Sequence, residues 1–269
     1  SMKVKKRLDV LLVERGLSEN RTNAQAVIMS GLVDVNGQRA DKPGVSYEET
    51  VDIQIRGAAC PYVSRGGLKL EKALRDFGVH PVDYVCSDSG ASTGGFTDCL
   101  LQQGAKKVFA IDVGYGQLDW KIRKDPRVVV MERTNIRYVK AEDLGEPLDL
   151  SVIDVSFISL KIVLPAIKNL LKPGQGQVLC LIKPQFEAGR DKVGNKGVVR
   201  EPETHKEVLD NFVALARELG FTILGLTFSP VKGPEGNIEF LGHLTLADVP
   251  GIQPDTTDVV AQAHAALKG

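Results

Sequence analysis

The chain has 269 residues, 43% of them hydrophobic, with 34 basic and 34 acidic side chains and a net charge of zero. That length suits one large domain or two modest ones. The ordinary apolar content excludes wholesale disorder, and neutrality excludes a uniformly basic nucleic-acid coat. No charged–apolar leader pattern is visible, and no apolar run approaches the ~20 residues of a bilayer span. The four cysteines, Cys60, Cys86, Cys99 and Cys180, form no close pair, so a reducing cytoplasm and no membrane are expected. His80, His205, His243 and His264 are scattered without ligand spacing, and no metal site is expected.

Residues 1–59 read as a small α+β domain. Arg7 to Gly16 is amphipathic and stops at a glycine suited to a helix C-terminus. Ser18-Glu19-Asn20-Arg21 offers caps for a second helix running to Met29, ended by Gly31. Val33 to Gln38 alternates and turns on Asn36-Gly37, a hairpin signal. Thr50 to Ile55 alternates again as a half-buried strand. Residues 1–21 carry six basic side chains, Lys3, Lys5, Lys6, Arg7, Arg15 and Arg21, against Asp9, Glu14 and Glu19. Alone, such a cluster reads as a solvated helix face.

The arrangement as a whole resembles the small RNA-binding domain of a ribosomal small-subunit protein, pseudouridine synthases and tyrosyl-tRNA synthetases. The matching residues are Arg7-Leu8-Asp9, Arg21-Thr22-Asn23-Ala24, Ile28 to Gly37, and Asp41-Lys42-Pro43. The resemblance implies that Lys6, Arg7, Arg21 and Lys42 contact RNA phosphates, with Arg65 beyond the join as a further contact. Contacts of that kind position an RNA without reading its sequence.

Gly57, Pro61, Gly66 and Gly67 punctuate the join, with residues 60–63 as the expected linker and 64–269 as a second domain. This second block alternates strands and helices at βαβ spacing. Strand patterns lie at 84–87, 107–111, 128–131, 148–153, 177–182, 222–228 and 238–245, with helical patterns at 160–171 and 207–219. Seven strands with intervening helices predict an α/β, Rossmann-like, doubly wound sheet whose ligands sit at the carboxyl ends of the strands.

After the first of these strands comes Asp88-Ser89-Gly90-Ala91-Ser92-Thr93-Gly94-Gly95-Phe96. Glycines there allow close backbone approach to a ligand at a helix mouth. Ser92 holds the second glycine position of a dinucleotide fingerprint, and a bare βα turn is the plain alternative. Asp112, closing the next strand, suits hydrogen bonds from ribose hydroxyls. A nucleoside-bearing cofactor follows, with a dinucleotide and S-adenosylmethionine both open at this point. The expected contacts are Asp88, Gly90, Ala91, Ser92, Gly94, Gly95, Phe96 and Asp112, joined by Asp154 and Phe157. Of the rim aromatics Phe96, Tyr115, Trp120, Phe157 and Phe186, Phe157 is the candidate for stacking on a base.

Strand ends supply Asp154 and Lys183, Glu239 begins a late strand, and Lys69 precedes the sheet. Singly, each reads as a surface ion pair; four converging on one rim do not. The set resembles the lysine–aspartate–lysine–glutamate tetrad of FtsJ-type ribose 2'-O-methyltransferases. With the front domain, the chain resembles the TlyA (hemolysin A) family of rRNA methyltransferases from about Lys5 to residue 245. The resemblance implies S-adenosyl-L-methionine as methyl donor and a cytidine ribose of ribosomal RNA, free or in subunits, as acceptor. Lys69, Asp154, Lys183 and Glu239 are then the catalytic set, with Lys183 nearest the hydroxyl. Two neighbouring ammonium groups disfavour each other's protonation while the carboxylates oppose that shift, so Lys183 stays open as base or steering group. Rival readings are a cytolytic protein, a non-catalytic ribosome-assembly factor and a dinucleotide-dependent oxidoreductase. The lack of a spanning stretch opposes the first and the intact tetrad opposes the second.

Overall fold

The computed structural model describes residues 4–57 and 60–267. Lys3 of the basic run and the expected domain end at Ala59 lie outside them. The chain divides between Cys60 and Pro61 into two compact units.

The first unit runs β1 (Lys5–Arg7), α1 (Leu8–Glu14), α2 (Arg21–Met29), β2 (Val33–Val35), β3 (Gln38–Arg39), β4 (Ser46–Glu48) and β5 (Ile53–Ile55). Asn20 caps α2, its side chain accepting from the Asn23 amide. Asn36 and Gly37 both take positive φ, the turn that matches strand twist in a two-residue hairpin, and it joins β2 to β3. β2 lies between β3 and β5. Its Val33 and Val35 meet Leu8, Leu11, Leu12, Ala24 and Ile28 in one core. β1 pairs antiparallel with β4, setting Lys5 opposite Glu48. No apolar alternation marks β1, because it is Lys-Lys-Arg, and Lys5 alone of the three has an acidic residue opposite it in β4.

The second unit runs α3 (Gly66–Phe77), β6 (Val85–Ser89), α4 (Gly95–Gln102), β7 (Lys107–Ile111), α5 (Trp120–Arg123), β8 (Val128–Met131), α6 (Ala141–Leu144), β9 (Leu150–Ile153), α7 (Leu160–Lys168), β10 (Gln177–Ile182), α8 (Pro184–Glu187), α9 (Pro202–Glu218), β11 (Thr222–Phe228), β12 (Phe240–Thr245) and α10 (Thr256–Ala266). One sheet takes the order β11-β12-β10-β9-β6-β7-β8. β6 to β10 pair in parallel, while β12 runs antiparallel to both β10 and β11. Alternate residues of β10 serve opposite layers: Val178, Cys180 and Ile182 pack with α7 and α9, Leu179 and Leu181 with α3 and α4. The chain enters at β6, moves out to β8 and returns beside β6 as β9, so the order reverses between β6 and β9. Ligands of such sheets sit above that reversal.

Pro61–Val63, expected as linker, packs onto this unit. Tyr62 is buried, the Val63 amide donates to Asp98 Oδ2 at 2.9 Å, and the Gln102 amide donates to the Pro61 carbonyl at 2.9 Å. His205 and His264, far apart in sequence, meet at 2.8 Å between α9 and α10. His205 Nε2 donates to the Val199 carbonyl, so its Nδ1 accepts from His264. Burial pushes the His205 imidazole down to about 4, which keeps it neutral and in that tautomer.

Candidate functional site

The turn after β6 is shaped by its neighbours. Gly90 has φ +85°, and a β-carbon there would strike the Asp154 carbonyl at the end of β9. Ser92, the non-glycine of the fingerprint, still adopts φ +51°. Its amide is fixed by a 2.6 Å bond to Asp112 Oδ2, while Oδ1 accepts from the Gly114 amide at 2.7 Å. The Gly94 amide closes the turn on the Ala91 carbonyl, and α4 begins directly behind it. A cleft of about 340 Å³ opens over this turn, lined by Arg65, Lys69, Gly90, Ala91, Ser92, Gly95, Phe96 and Asp154. Asp112 lies on the far side of Ala91 and Ser92, in a small depression shared with Gln117 and Glu132.

The tetrad assembles as two ion pairs. Lys183 Nζ lies 2.5 Å from Asp154 Oδ1 and 3.1 Å from Ser156 Oγ. Lys69 Nζ lies 3.4 Å from Glu239 Oε1. Lys69 and Asp154 line the same cleft, so one member of each pair faces it. Glu239 is fully buried, and Gly233 must be glycine, since a β-carbon there would collide with the Glu239 carboxylate. Each ammonium thus faces a carboxylate.

Three expected donor contacts sit elsewhere than a simple rim reading suggests. Asp88 is fully buried under the turn. Its Oδ2 accepts from Thr97 Oγ1 at 2.7 Å, and Oδ1 has no partner among the described residues. Burial pushes the Asp88 carboxyl up to about 7, against the lowering by Thr97, and the nearby Asp154 and Asp112 charges add to the rise. Gly94 packs toward Leu118 and Ile122. Phe157 is 89% exposed at φ +65°, its ring 4.8 Å from that of Phe186.

The expected RNA contacts of the first unit are more constrained than a free basic face. Arg7 grips buried Asp9 through two bonds of 3.0 and 2.9 Å, and Arg21 reaches the same carboxylate at 3.5 Å. The Arg7 guanidinium, with bonds from Gln25 and the Val10 amide, holds the Asp9 carboxyl well below the usual carboxylate range. Lys6 pairs with Glu14 and Glu49. Lys42 is exposed.

Some functional-site residues carry no sequence signal of their own. Ser64, Thr93 and the Val231–Pro234 loop line the cleft, and Gln185 bonds Glu239. A second feature was countable: residues 113–140 hold seven basic side chains against Asp119, Asp125 and Glu132. There Arg133 stacks 4.4 Å from the Tyr115 ring and Arg137 lies 5.6 Å from that of Tyr138. Both tyrosines and Trp120 are exposed.

A parallel sheet closed by a reversed hairpin, with an acid-backed glycine turn at its switch point, defines the methyltransferase class of Rossmann-like proteins. Residues 62–246 match the FtsJ-like methyltransferase family, and residues 6–50 match the S4 domain. The chain is 43% identical over 235 residues, 87% of either chain, to the 16S/23S rRNA (cytidine-2'-O)-methyltransferase TlyA of Mycobacterium tuberculosis. It is 41% identical to hemolysin A of Brachyspira hyodysenteriae, covering 89% of this chain and 100% of that one. A solved structure from Streptococcus thermophilus bearing the hemolysin name is 49% identical, with a TM-score of 0.76 over 100% of this chain and 98% of that one. The chain belongs to the FtsJ-like methyltransferase family, within the group that holds TlyA and hemolysin A.

Proposed function

We propose that this protein transfers a methyl group from S-adenosyl-L-methionine to the 2'-hydroxyl of a cytidine in ribosomal RNA. The observation that carries this reading is the pairing of Lys183 with Asp154 and of Lys69 with Glu239 around the cleft over the glycine turn. The turn fits the donor: Gly90 lets it close on the Asp154 backbone and Gly95 lets α4 pack on Ser64 and Gly67, α4 points its N-terminus at the cleft, and Asp112 offers lone pairs beside the turn. Gly90 to Gly95 would hold the amino-acid end and Asp112 the ribose hydroxyls. When bound, the donor supplies an electrophilic methyl on a sulfonium.

A ribose hydroxyl is a poor nucleophile, so its lone pair must be held in line and its proton led away. Two of the three Lys183 ammonium hydrogens face Asp154 and Ser156, and the third is left for the ribose oxygen. Asp154 is the acceptor through which the proton departs. Lys183 acts in this reading as a charged steering group. Lys69, held by Glu239, positions the same oxygen from the other side of the cleft. Lys6, Arg7, Arg21 and Lys42 contact phosphates in the first unit, and Arg65 does so at the cleft mouth. The basic, aromatic surface of residues 113–140 adds stacking and charge. A cytoplasmic site of action goes with a ribosomal substrate.

The test is transfer of labelled methyl groups to intact subunits, assembled ribosomes and naked rRNA, with the labelled nucleotide mapped. Label at a cytidine 2'-oxygen is expected; no transfer to any of the three overturns the reading. Calorimetry with S-adenosylmethionine and with NAD(H) separates the oxidoreductase alternative. Among the described residues no helix is long and apolar enough to cross a membrane. Release of dye from vesicles by the purified protein, without donor, would restore the lytic reading.

A further inference from the structure

Glu239 is fully buried, and its Lys69 partner stands at 3.4 Å. That is long for a charge-assisted bond, which is normally about 2.7–2.9 Å. A buried carboxylate held by one distant cation is poorly compensated. The closer partner is neutral: Gln185 Nε2 donates to Glu239 Oε2 at 2.8 Å. The other end of the same amide, Gln185 Oε1, is buried without a hydrogen-bond partner among the described residues.

These two facts together fix the amide's orientation. Turning it over would set its carbonyl oxygen against the Glu239 carboxylate, acceptor against acceptor, so the nitrogen must face Glu239. The amide keeps that orientation although its oxygen has no partner among the described residues, an unfavourable state for a buried acceptor. The carboxylate therefore dictates how Gln185 sits. Chain geometry supports this: Lys183 is the N-cap of α8 and Pro184 its first residue. Gln185 is thus anchored two positions from the lysine of the other ion pair.

We infer that Gln185 is a positioning residue of the proposed methyl-transfer site, a fifth member that holds the Glu239 carboxylate aimed at Lys69. This rests on the reading of the tetrad given above. Gln185 donates one hydrogen bond and carries no charge, so it compensates Glu239 without competing with Lys69. It also ties α8, which follows Lys183, to the segment that leads Glu239 into β12, and so couples the two ion pairs. The other charged groups near Glu239 are Lys69 of α3, Lys232 in the loop lining the same cleft, and the Asp154–Lys183 pair.

Two variants test it. Gln185→Leu removes the donor and should lower kcat about ten- to a hundredfold at every pH, with donor affinity unchanged. Gln185→Glu keeps the shape but sets two carboxyls in hydrogen-bond reach, which then share a proton at a raised pKa. That variant should lose kcat similarly near pH 8 and recover as the pH falls towards about 6, because the protonated acid again donates to Glu239. The wild type should show no such recovery. A second readout needs no substrate. The folded carboxyl pair binds a proton that the unfolded chain lacks between about pH 5 and pH 7, so the unfolding midpoint of Gln185→Glu should approach the wild-type value on acidification. An unchanged kcat in Gln185→Leu, or a midpoint gap that is constant from about pH 5 to pH 8, overturns the inference. Absence of methyl transfer by the wild type itself would instead sink the functional reading, and the midpoint measurement would still decide the Gln185–Glu239 contact.

Discussion

In the first unit one buried carboxylate, Asp9, anchors two guanidinium groups whose side chains stay 46% and 56% exposed. At the cleft of the second unit the lysines are themselves mostly covered, 15% and 10% exposed, and each has its own carboxylate. Exposed cations splayed from one anchor present charge to a long polyanion, and salt screens them. Buried cations matched one to one present charge to a single atom, and salt reaches them little. The buried aspartates differ likewise. Asp9 has a guanidinium beside its amide and backbone donors and is driven low, whereas fully buried Asp88 takes its donors from the Thr97 hydroxyl and backbone, has two carboxylates near it and is driven up to about 7. The chain spends its donors where a permanent charge is needed.

The contrast breaks most severely at Lys183. Lys183→Ala should reduce methyl transfer by about 10²–10⁴-fold while donor affinity, measured by calorimetry, stays put. Substantial activity in that variant would show that burying the lysine serves the fold alone. Next comes Asp88. A carboxyl whose folded pKa is raised stabilises the fold below its unfolded pKa and loses that contribution as pH rises through about 7. Asp88→Asn should therefore gain on the wild type in denaturant titrations between about pH 4 and pH 8, by up to about 4 kcal/mol. Asp9 has the opposite sign: its contribution is present above about pH 4 and is lost on acidification. A pH-independent difference between Asp88→Asn and wild type would remove the contrast between the aspartates.

Asp112→Ala should weaken S-adenosylmethionine binding about ten- to a hundredfold, since it holds the Ser92 and Gly114 amides as well as providing the proposed ribose contact. Unaltered affinity would move the ribose contact to another residue, with Glu132 the neighbouring acid. The smallest effect is expected from Arg7→Gln with Arg21→Gln. The slope of log affinity against log salt for RNA should flatten by roughly 1.5 if two phosphate contacts vanish. A slope equal to wild type would leave these arginines as struts for Asp9.

Much of the sheet was legible because period and length agree. Lys107 to Ile111 forms β7 from end to end, and the glycine turn and Asp112 occupy the strand ends that the pattern assigned. The four tetrad residues were legible as a set. Their pairing was not, because which lysine meets which carboxylate depends on how α3, β9, β10 and β12 cross. α3 escaped because it opens on Gly66-Gly67, poor helix formers that read as a turn. β1 escaped because Lys-Lys-Arg carries no apolar alternation. Asp88 looked like a ligand contact because sequence gives position along a strand and hides depth beneath the turn. Gln185 stood inside Lys183-Pro184-Gln185-Phe186-Glu187 with nothing to mark it out, since a neutral amide acquires its role only from the acid it faces.

The contact between Gly90 and the Asp154 backbone sets a distance. One end of that contact belongs to the turn that would cradle the donor, the other to the strand end that carries the acceptor machinery. On the proposed reading, the separation between giver and receiver of the methyl group would be set by the missing width of a side chain. Displacing reacting atoms by about 1 Å costs on the order of a hundredfold in rate. A single added methyl at position 90 would act as a wedge between the turn and Asp154, lengthening the transfer path without removing any charged group of the site.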